Sequence, residues 1–453
     1  MPTLTLLSFF CGMMLSIHCE VTSVETTIHP ARQGLNGILR VPSDKSISHR
    51  ALMFGGLAQG KSVVRNLLLA EDTLSTGKCL QDLGVGLDIN VERAEAVIEG
   101  RGLDGWQEPA NILDCGNSGT TMRLLCGALA GMPFYSVLTG DASLRSRPMA
   151  RVAVPLSRLG AQIDGRAQGR FAPLGIRGNR LQGGAINSGV ASAQVKSALL
   201  LAGLHAREPL LVTEPLPTRD HSERLLAAMG AKISAQGNRI ELTPGQELQP
   251  LQLQVPSDIS SAAFWLVAAS IVPDSRIELR EVGINPTRSG IIEILRAMGG
   301  RIEIRNQRLE GGEPVADLIV ASATLSAVSI AAEQVPLLID EIPVLAVAMA
   351  VAAGESKVSG AGELRVKESD RIRAVCCNLE NLGIQIQERE DGFVISGGQA
   401  ITGGRVESGG DHRIAMAMAV AALAAQAEVR ISGSEAVAVS YPEFWQHMEQ
   451  LRG

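Results

Sequence analysis

Residues 39–60 read LRVPSDKSISHRALMFGGLAQG and residues 253–274 read LQVPSDISSAAFWLVAASIVPD, so the tetrapeptide VPSD occurs twice, 214 positions apart. In each copy the Ser-Asp pair precedes an apolar stretch, as capping residues precede a helix. Each apolar stretch is followed by a strand-like one, at 63–69 and at 276–282. The shared order predicts that the chain consists of two homologous halves.

A shorter repeat lies inside each half. A helical stretch ends in Leu-Gly or Met-Gly and is followed by alternating apolar and polar residues, which is typical of a helix joined to a strand. The glycines of these junctions are Gly84, Gly160, Gly230, Gly299 and Gly383. Because the stretches 191–206 and 342–353 are apolar nearly all round, we expect α/β units with helices buried inside and sheets outside.

The composition excludes several classes of protein. The 453 residues are 45% apolar and 19% charged, which is typical of a folded chain with about two or three domains. A formal charge of -6 provides no general positive field for nucleic acid or an anionic membrane. Aromatic residues make up 3% of the chain, too few for a base-stacking surface. Any anion site must therefore be a local cluster of cations.

The cysteines and the N-terminus bear on location. The seven cysteines show no CxxC pair and no Cys/His spacing of a metal site, so we expect reduced thiols, no bound metal and a cytoplasmic protein. Residues 4–17 have the apolar character and length of a signal-peptide core. No Lys or Arg precedes them and no clear cleavage site follows, so we interpret residues 1–26 as an N-terminal extension.

Three polar stretches of the first half are suited to hold an anion. Residues 44–50 (DKSISHR) place two cations and two hydroxyls at the start of a helix, where the backbone also favours negative charge. Residues 114–121 (DCGNSGTT) form a loop rich in glycine and hydroxyls before another helix, and residues 145–147 add two cations. Each stretch alone is also typical of a capped helix or a solvated turn.

The second half supplies residues 367–371 (KESDR) and 410–413 (GDHR). Lys367 and Arg371 share one face if their segment is helical, with Glu368 beside them as a candidate acid or base. A surface run of ion pairs is the alternative interpretation. Asp340 precedes a helix too apolar to be exposed, so its carboxylate requires a cap or a cation.

Six motifs follow one another along the chain: SDKSISHRA, GNSGTTMR, RPM, ASAQVKSALLLAG, RVKESDRI and DHRIAMA. In this order and spacing they resemble the EPSP synthase family over residues 39–451. The resemblance implies a two-domain inside-out α/β barrel in which each domain has three βαβαββ repeats, buried helices and outer sheets. It implies one domain at 42–254 and another at 27–41 plus 255–453, with the active site in the cleft between them.

The resemblance also implies an activity. The family transfers the enolpyruvyl group of phosphoenolpyruvate to the 5-hydroxyl of 3-phosphoshikimate, on the way to chorismate and the aromatic amino acids, and it is the target of glyphosate. The reaction needs fixed cations, a proton donor and a base, but no metal and no cofactor. The partners implied are these two small molecules, with no nucleic acid and no membrane, and the protein is expected to act as a cytoplasmic monomer.

Site residues carry over where the motifs match. Asp340 is implied as the base at the 5-hydroxyl, with Glu368 and Lys45 as proton carriers. The residues implied for 3-phosphoshikimate are Lys45, Ser46, Arg50, Ser192, Gln194, Arg219, Asp340 and Lys367. Those implied for phosphoenolpyruvate are Lys45, Gly119, Arg147, Gln194, Arg371 and Arg413.

Three positions depart from the better-known branch of the family. Ala193 stands where a second serine is usual, and Val439 replaces a lysine that is common near the C-terminus. Arg219 lies in a segment that often offers a Ser and a Tyr, so it is expected to supply the missing phosphate contact. These features resemble the divergent branch that includes glyphosate-tolerant members.

Two other functions fit parts of the pattern. The related transferase that acts on UDP-N-acetylglucosamine carries a reactive cysteine before its Arg-Pro, whereas residues 141–147 hold no cysteine. A non-catalytic binder of 3-phosphoshikimate predicts loss of the acid and base positions, yet Asp340, Glu368 and His412 are present. Phosphate release in the presence of both substrates distinguishes an enzyme from a binder.

Overall fold

Two separate apolar cores divide the chain. The computed structural model describes residues 24–453. One core takes its buried side chains from residues 47–255, and the other takes them from residues 28–41 and 259–451. The chain passes from one core to the other at each of the two copies of VPSD. The internal repeat of the sequence is therefore a repeat of packing units.

Helices and strands alternate in both halves of the described chain. The strands are β1 (Glu25–Ile28), β2 (Asn36–Leu39), β3 (Gln59–Arg65), β4 (Gly86–Asn90), β5 (Glu95–Arg101), β6 (Leu113–Asp114), β7 (Tyr135–Thr139), β8 (Gln162–Gly165), β9 (Phe171–Arg177), β10 (Gly184–Asn187), β11 (Leu210–Thr213), β12 (Lys232–Gln236), β13 (Arg239–Thr243), β14 (Gln252–Gln254), β15 (Arg276–Gly283), β16 (Arg301–Glu310), β17 (Glu313–Ala321), β18 (Ser329–Ile330), β19 (Glu355–Val358), β20 (Ile386–Arg389), β21 (Gly392–Ser396), β22 (Gly404–Glu407) and β23 (Val429–Ser432). The helices are α1 (Lys45–Leu57), α2 (Glu71–Asp82), α3 (Gly119–Ala130), α4 (Ala150–Arg158), α5 (Arg166–Gly169), α6 (Ala193–Gly203), α7 (His221–Ala228), α8 (Ile259–Ile271), α9 (Gly290–Ala297), α10 (Ile342–Val351), α11 (Arg371–Asn381), α12 (His412–Leu423) and α13 (Phe444–Arg452). Short 3-10 helices lie at Leu144–Ser146, Val335–Leu337, Gly362–Val366 and Ser434–Val439.

Within residues 24–453 the strands form six small sheets, five of four strands and one of three. Each four-stranded sheet has a parallel pair followed by two antiparallel neighbours, as in the order β10-β11-β13-β12. The sheets lie outside and the central helices lie inside, so that Ile259 to Ser270 of α8 are all buried. The predicted fold class, an inside-out α/β arrangement in two halves, is confirmed.

The two copies of VPSD hydrogen-bond to each other. The N–H of Asp44 donates to the carbonyl of Pro256, and the N–H of Asp258 donates to the carbonyl of Pro42, each at 2.8 Å. The carboxylates of Asp44 and Asp258 also accept N–H groups in the first turns of α1 and α8. Both helices therefore start side by side where the chain passes between the halves.

The sequence signals for element ends agree with the structure, apart from small shifts. All five junction glycines have a positive φ, between 81° and 96°. Helix α6 starts at residue 193 and ends at 203, and α10 ends at 351, so both are shorter than predicted. Residues 1–23 of the expected extension lie outside the described residues, and β1 already begins at Glu25. No helix in 24–453 combines the length and apolar character needed to cross a bilayer.

Glycine allows two central helices to approach closely. A Cβ atom at Gly127 on α3 would lie 2.1 Å from the carbonyl oxygen of Ala198 on α6. That oxygen belongs to the backbone of a buried helix and cannot swing away as the end of a long side chain can. The spacing of α3 and α6 therefore depends on the absence of a side chain at this position.

We expect Gly127→Ala to lower the free energy of unfolding by about 1–3 kcal/mol, because an overpacked core must shift its backbone. The higher helix propensity of alanine would by itself raise the stability by about 1 kcal/mol. A net loss of stability is therefore due to the clash. Gly362→Ala is the matched control, since a Cβ there meets no atom within 4 Å. Urea unfolding followed by circular dichroism gives the comparison. Equal midpoints for the two variants would contradict the packing argument.

Candidate active site

A cavity of about 290 Å³ lies between the two cores. Its wall includes every residue predicted to contact substrate except Arg50. Those from the first half are Lys45, Ser46, Gly119, Arg147, Ser192, Gln194 and Arg219. Those from the second half are Asp340, Lys367, Glu368, Arg371 and Arg413. Residues from distant stretches of the sequence are therefore neighbours in space.

The cavity lies where helices begin. Lys45, Gly119 and Arg371 are the first residues of α1, α3 and α11. Ser192 is the N-cap of α6, and Arg413 is the second residue of α12. The first N–H groups of a helix have no partner within the helix and carry partial positive charge. The backbone therefore favours anions here, and the cationic side chains add to it.

Asp340 is the carboxylate on which four cations converge. Its Oδ1 lies 3.6 Å from Lys367 Nζ, 3.2 Å from Arg371 Nη1 and 3.9 Å from Arg413 Nε. Arg219 reaches across from the first half and donates to Oδ2. Burial would raise the pKa of Asp340, but Lys367, Arg413 and Arg219 hold it well below its usual range. Asp340 is therefore ionised and is held by cations from both halves.

Glu368 provides a second carboxylate in the same wall. Its Oε2 lies 2.5 Å from Arg371 Nη2. Desolvation opposes ionisation, but Arg371 and Lys367 bring the pKa of Glu368 well below its usual range. Burial lowers the pKa of His412 to about 3, with Arg413 and Lys45 adding to the shift, so this imidazole is neutral at ordinary pH. The groups available for proton exchange are therefore carboxylates and a lysine.

The structure differs from the prediction at Arg50. This arginine is 2% exposed and does not belong to the cavity wall. Its guanidinium donates to Ser222 Oγ at 2.8 Å, to Ser197 Oγ at 2.7 Å and to the carbonyl of Ser46 at 2.9 Å. The side chain of Arg50 therefore lies in the core between α1, α6 and α7. It supports the wall from behind.

Lys367 and Arg371 do not share a helix face, because the segment between them is not helical. A 3-10 helix ends at Val366, Lys367 follows it, and α11 begins only at Arg371. The Asp370 side chain caps α11 by accepting from the N–H of Arg373. Both cations nevertheless reach Asp340, because the bend between the two helices directs them to the same carboxylate.

Sequence reasoning missed Arg123 as a functional candidate. Arg123 lines the cavity, and its Nη1 donates to Gln194 Oε1 at 2.7 Å. Gln194 in turn donates to Thr120 Oγ1 at 2.9 Å. The Nε atoms of Arg123 and Arg147 are buried without a protein partner. The signal was available, since Arg123 ends the motif GNSGTTMR one helical turn after Gly119.

Two ion pairs complete the wall, and the sequence singled out neither. Lys45 Nζ lies 3.1 Å from Asp72 at the start of α2. Arg151 on α4 donates to both carboxylate oxygens of Glu363 in the other half, at 3.0 and 3.4 Å. Like Arg219 with Asp340, the second pair connects the halves across the cleft. Among residues 24–453, no group of three or more His, Cys, Asp or Glu side chains is placed to hold a metal ion.

Comparisons with known proteins agree with this arrangement. The family described as "EPSP synthase (3-phosphoshikimate 1-carboxyvinyltransferase)" matches residues 30–448. A relative named 3-phosphoshikimate 1-carboxyvinyltransferase from Syntrophomonas wolfei is 55% identical over 425 residues, which cover 94% of this chain and 99% of the relative. A relative of the same name from a Synechococcus strain is 53% identical over 424 residues, covering 92% of this chain and 97% of that one.

A solved structure shows the same fold. EPSP synthase from Acinetobacter baumannii has a TM-score of 0.86 to this chain at 45% identity, and the match covers 94% of this chain and 98% of that one. A match of this length includes most of both halves of the chain. The match in sequence over nearly the full length, together with the match in fold, shows that this chain belongs to the EPSP synthase family.

Proposed function

We propose that this chain is a 3-phosphoshikimate 1-carboxyvinyltransferase, an enzyme of the route to aromatic amino acids. It transfers the enolpyruvyl group of phosphoenolpyruvate to the 5-hydroxyl of 3-phosphoshikimate and releases phosphate. The observation that carries the proposal is the cavity between the halves, where cations and helix N-termini surround two ionised carboxylates. The names of relatives that are more than half identical to this chain support it.

Phosphoenolpyruvate binds beside the N-termini of α3, α11 and α12. Gly119 lines the cavity at the start of α3, and Arg147, Arg371 and Arg413 supply charge for the phosphate and carboxylate. The wall residues proposed for this substrate are Lys45, Gly119, Arg147, Gln194, Arg371 and Arg413. Arg147 is already oriented by Asn117, whose Oδ1 accepts from its Nη2 at 2.7 Å.

3-Phosphoshikimate occupies the side of the cavity next to α1 and α6. Ser46 and Ser192 offer hydroxyls, and Arg219 offers a guanidinium for the 3-phosphate in place of the serine replaced by Ala193. The wall residues proposed for this substrate are Lys45, Ser46, Ser192, Gln194, Arg219, Asp340 and Lys367. Arg50 contributes indirectly, because its guanidinium fixes the backbone of Ser46.

Asp340 accepts the proton of the 5-hydroxyl while that oxygen bonds to C2 of phosphoenolpyruvate. The electron pair of the C2–C3 double bond takes a proton at C3, which Lys45 is placed to donate. In the second step C3 loses a proton, the double bond re-forms and the bond from C2 to the phosphate oxygen breaks. Asp340 already holds the hydroxyl proton at this stage, so the ionised Glu368 is the carboxylate assigned to accept this one.

The four cations around Asp340 make it a weak base until substrate arrives. They favour the ionised carboxylate, so its affinity for a proton is low. When the phosphate and carboxylate groups of the substrates bind to the same cations, they offset part of this charge. The proton affinity of Asp340 therefore rises at the moment when the 5-hydroxyl is in place.

We further propose that the domains are residues 42–254 and residues 27–41 plus 255–453. The separate apolar cores and the crossing at the two VPSD segments support these limits. The cavity has a wall from each half of the same chain, so a monomer suffices as the active unit. Both proposed substrates are charged and cannot cross a bilayer unaided, which favours a cytoplasmic location.

The direct test is phosphate release by the purified protein. With both substrates present, phosphate should appear together with one equivalent of the enol ether product. Neither substrate alone should give phosphate. Binding of 3-phosphoshikimate without phosphate release would show a binding protein and contradict the proposed enzyme.

We expect Asp340→Asn to reduce kcat by about 10² to 10⁴, the usual contribution of a positioned general base, with a smaller change in the KM for 3-phosphoshikimate. The amide keeps the size of the side chain but cannot accept the hydroxyl proton. Asp317→Asn is the matched control, because Asp317 lies on β17 outside the cavity wall. Steady-state kinetics give both constants, and a kcat within about threefold of wild type would remove Asp340 from the base role.

We expect Gly119→Ala to raise the inhibition constant of glyphosate more than the KM of phosphoenolpyruvate. A Cβ at this position would lie 2.8 Å from Arg123 Nη1 and 3.6 Å from Arg147 Nη1, so the methyl group narrows the anion pocket. The longer inhibitor is affected more than the shorter substrate, and selectivity is a difference of two affinities.

Gly56→Ala is the control for this measurement, since a Cβ there meets only ordinary contacts from 3.4 Å and lies outside the cavity wall. It should leave both constants unchanged. Equal weakening of glyphosate and phosphoenolpyruvate in Gly119→Ala would show a general collapse of the pocket instead of steric selection.

A further inference from the structure

A lysine is buried with two carboxylates behind the cavity wall. Lys196 on α6 has a side chain that is 2% exposed. Its Nζ lies 2.9 Å from Glu214 Oε2 and 2.8 Å from Glu223 Oε1, and both carboxylates are nearly inaccessible. The proposed mechanism uses none of the three, and Lys196 does not belong to the cavity wall.

Stability is a poor explanation for this cluster. Removing a lysine and two carboxylates from water costs several kcal/mol per ion, and apolar side chains of similar volume often serve as well. Burial raises the pKa of Glu223 even though Lys196 opposes the shift, so desolvation of this carboxylate outweighs its attraction to the lysine. Since apolar side chains could fill the same volume, the charged groups are better explained by the polar atoms that they hold in place.

The cluster fixes one residue, Thr218, through all its polar groups. Lys196 Nζ donates to the carbonyl of Thr218 at 3.1 Å. The hydroxyl of Thr218 donates to Glu214 Oε1, and its N–H donates to Glu214 Oε2 at 3.4 Å. Glu214 is itself held by Asn238. The N–H of Glu214 donates to the carbonyl of Asn238 at 2.9 Å, and the side-chain amide of Asn238 donates to the carbonyl of Glu214 at 2.6 Å. Pro215 and Pro217 stiffen the segment between.

The next residue is Arg219, the side chain that crosses the cleft to Asp340. On its other side, Asp220 accepts from Asn285 of the second half at 2.6 Å. The backbone of Arg219 is therefore held from both directions. Arg219 has four side-chain torsions and would otherwise lose much rotamer freedom when it binds. Holding Thr218 and Asp220 restricts the backbone of Arg219, so that only its side-chain torsions remain to be ordered.

We propose that Lys196 is a positioning residue of the reaction: with Glu214 it holds Thr218 so that the guanidinium of Arg219 meets both the 3-phosphate of the substrate and the carboxylate of Asp340. This inference rests on the proposed function and deepens it. Lys196 acts through Arg219 and touches no substrate. Its effect therefore depends on the presence of Arg219.

A double-mutant cycle tests this dependence. Lys196→Met removes the ammonium, and Thr218→Val removes only the hydroxyl held by Glu214, which keeps the test available if the first variant fails to fold. We expect each to lower kcat/KM for 3-phosphoshikimate by about tenfold to a hundredfold, as a shift of about 1 Å in a binding group does. The KM for phosphoenolpyruvate should change less than about threefold.

The decisive measurement is made in an Arg219→Ala background. There the same two substitutions should lower kcat/KM by less than about twofold, because the residue they position is gone. Thr218→Ser, which restores the hydroxyl, should recover most of the activity that Thr218→Val loses. An undiminished loss in the Arg219→Ala background would overturn the inference and show a general structural effect.

The two proposals fail differently. If the wild type releases no phosphate, the proposed function is wrong. If the wild type is active and both Lys196→Met and Thr218→Val match it in kcat/KM, the positioning role is wrong and the function stands. Calorimetric binding of 3-phosphoshikimate gives a second readout, in which both variants should bind more weakly than wild type.

Discussion

The hydrogen-bonded crossing of the two VPSD segments is the constraint on which the rest of the molecule depends. Asp44 and Asp258 each donate a backbone N–H to the opposite segment and cap the helix that follows. The crossing thus fixes where α1 and α8 begin, and their N-termini face the cleft. Helices α2 and α3 pack against α1, helix α12 packs against α8, and the first turns of all three line the same cleft. A cavity lined by helix N-termini is the geometric consequence of this packing.

Such a cavity collects positive charge, and the protein balances it with carboxylates of its own. Asp340 faces four cations, and Arg151 pairs with Glu363 across the cleft. The halves are therefore held together by attraction between opposite charges in this structure. An anionic substrate competes with Asp340 for the same cations, so binding and the basicity of the carboxylate are linked. The electrostatics of the wall thus serve both affinity and proton transfer.

Local signals allowed the sequence to predict the repeated halves and the buried helices, whereas the resemblance to a known family supplied most of the cavity wall. Capping residues, junction glycines and apolar periodicity each depend on a few neighbouring residues. They can therefore be recognised without knowledge of the tertiary structure. The positions of Arg50 and Lys367 depend instead on the direction in which a side chain or the backbone turns. Arg50 turns into the core, where its guanidinium bonds to α6 and α7, and Lys367 lies between two helices because the backbone bends before Arg371. The sequence pattern alone does not show in which direction a side chain leaves its helix or where the backbone bends.

The exchange of a hydroxyl for a guanidinium also explains features that no motif marks. A serine at the position of Ala193 would present its hydroxyl directly from the start of α6, where the helix fixes it. Arg219 reaches the same region on a long side chain from a loop, so its base must be held by other means. The buried Lys196 and Glu214 supply that hold at Thr218. With the phosphate contact proposed for Arg219, the charged cluster in the core behind it holds the loop that carries this contact.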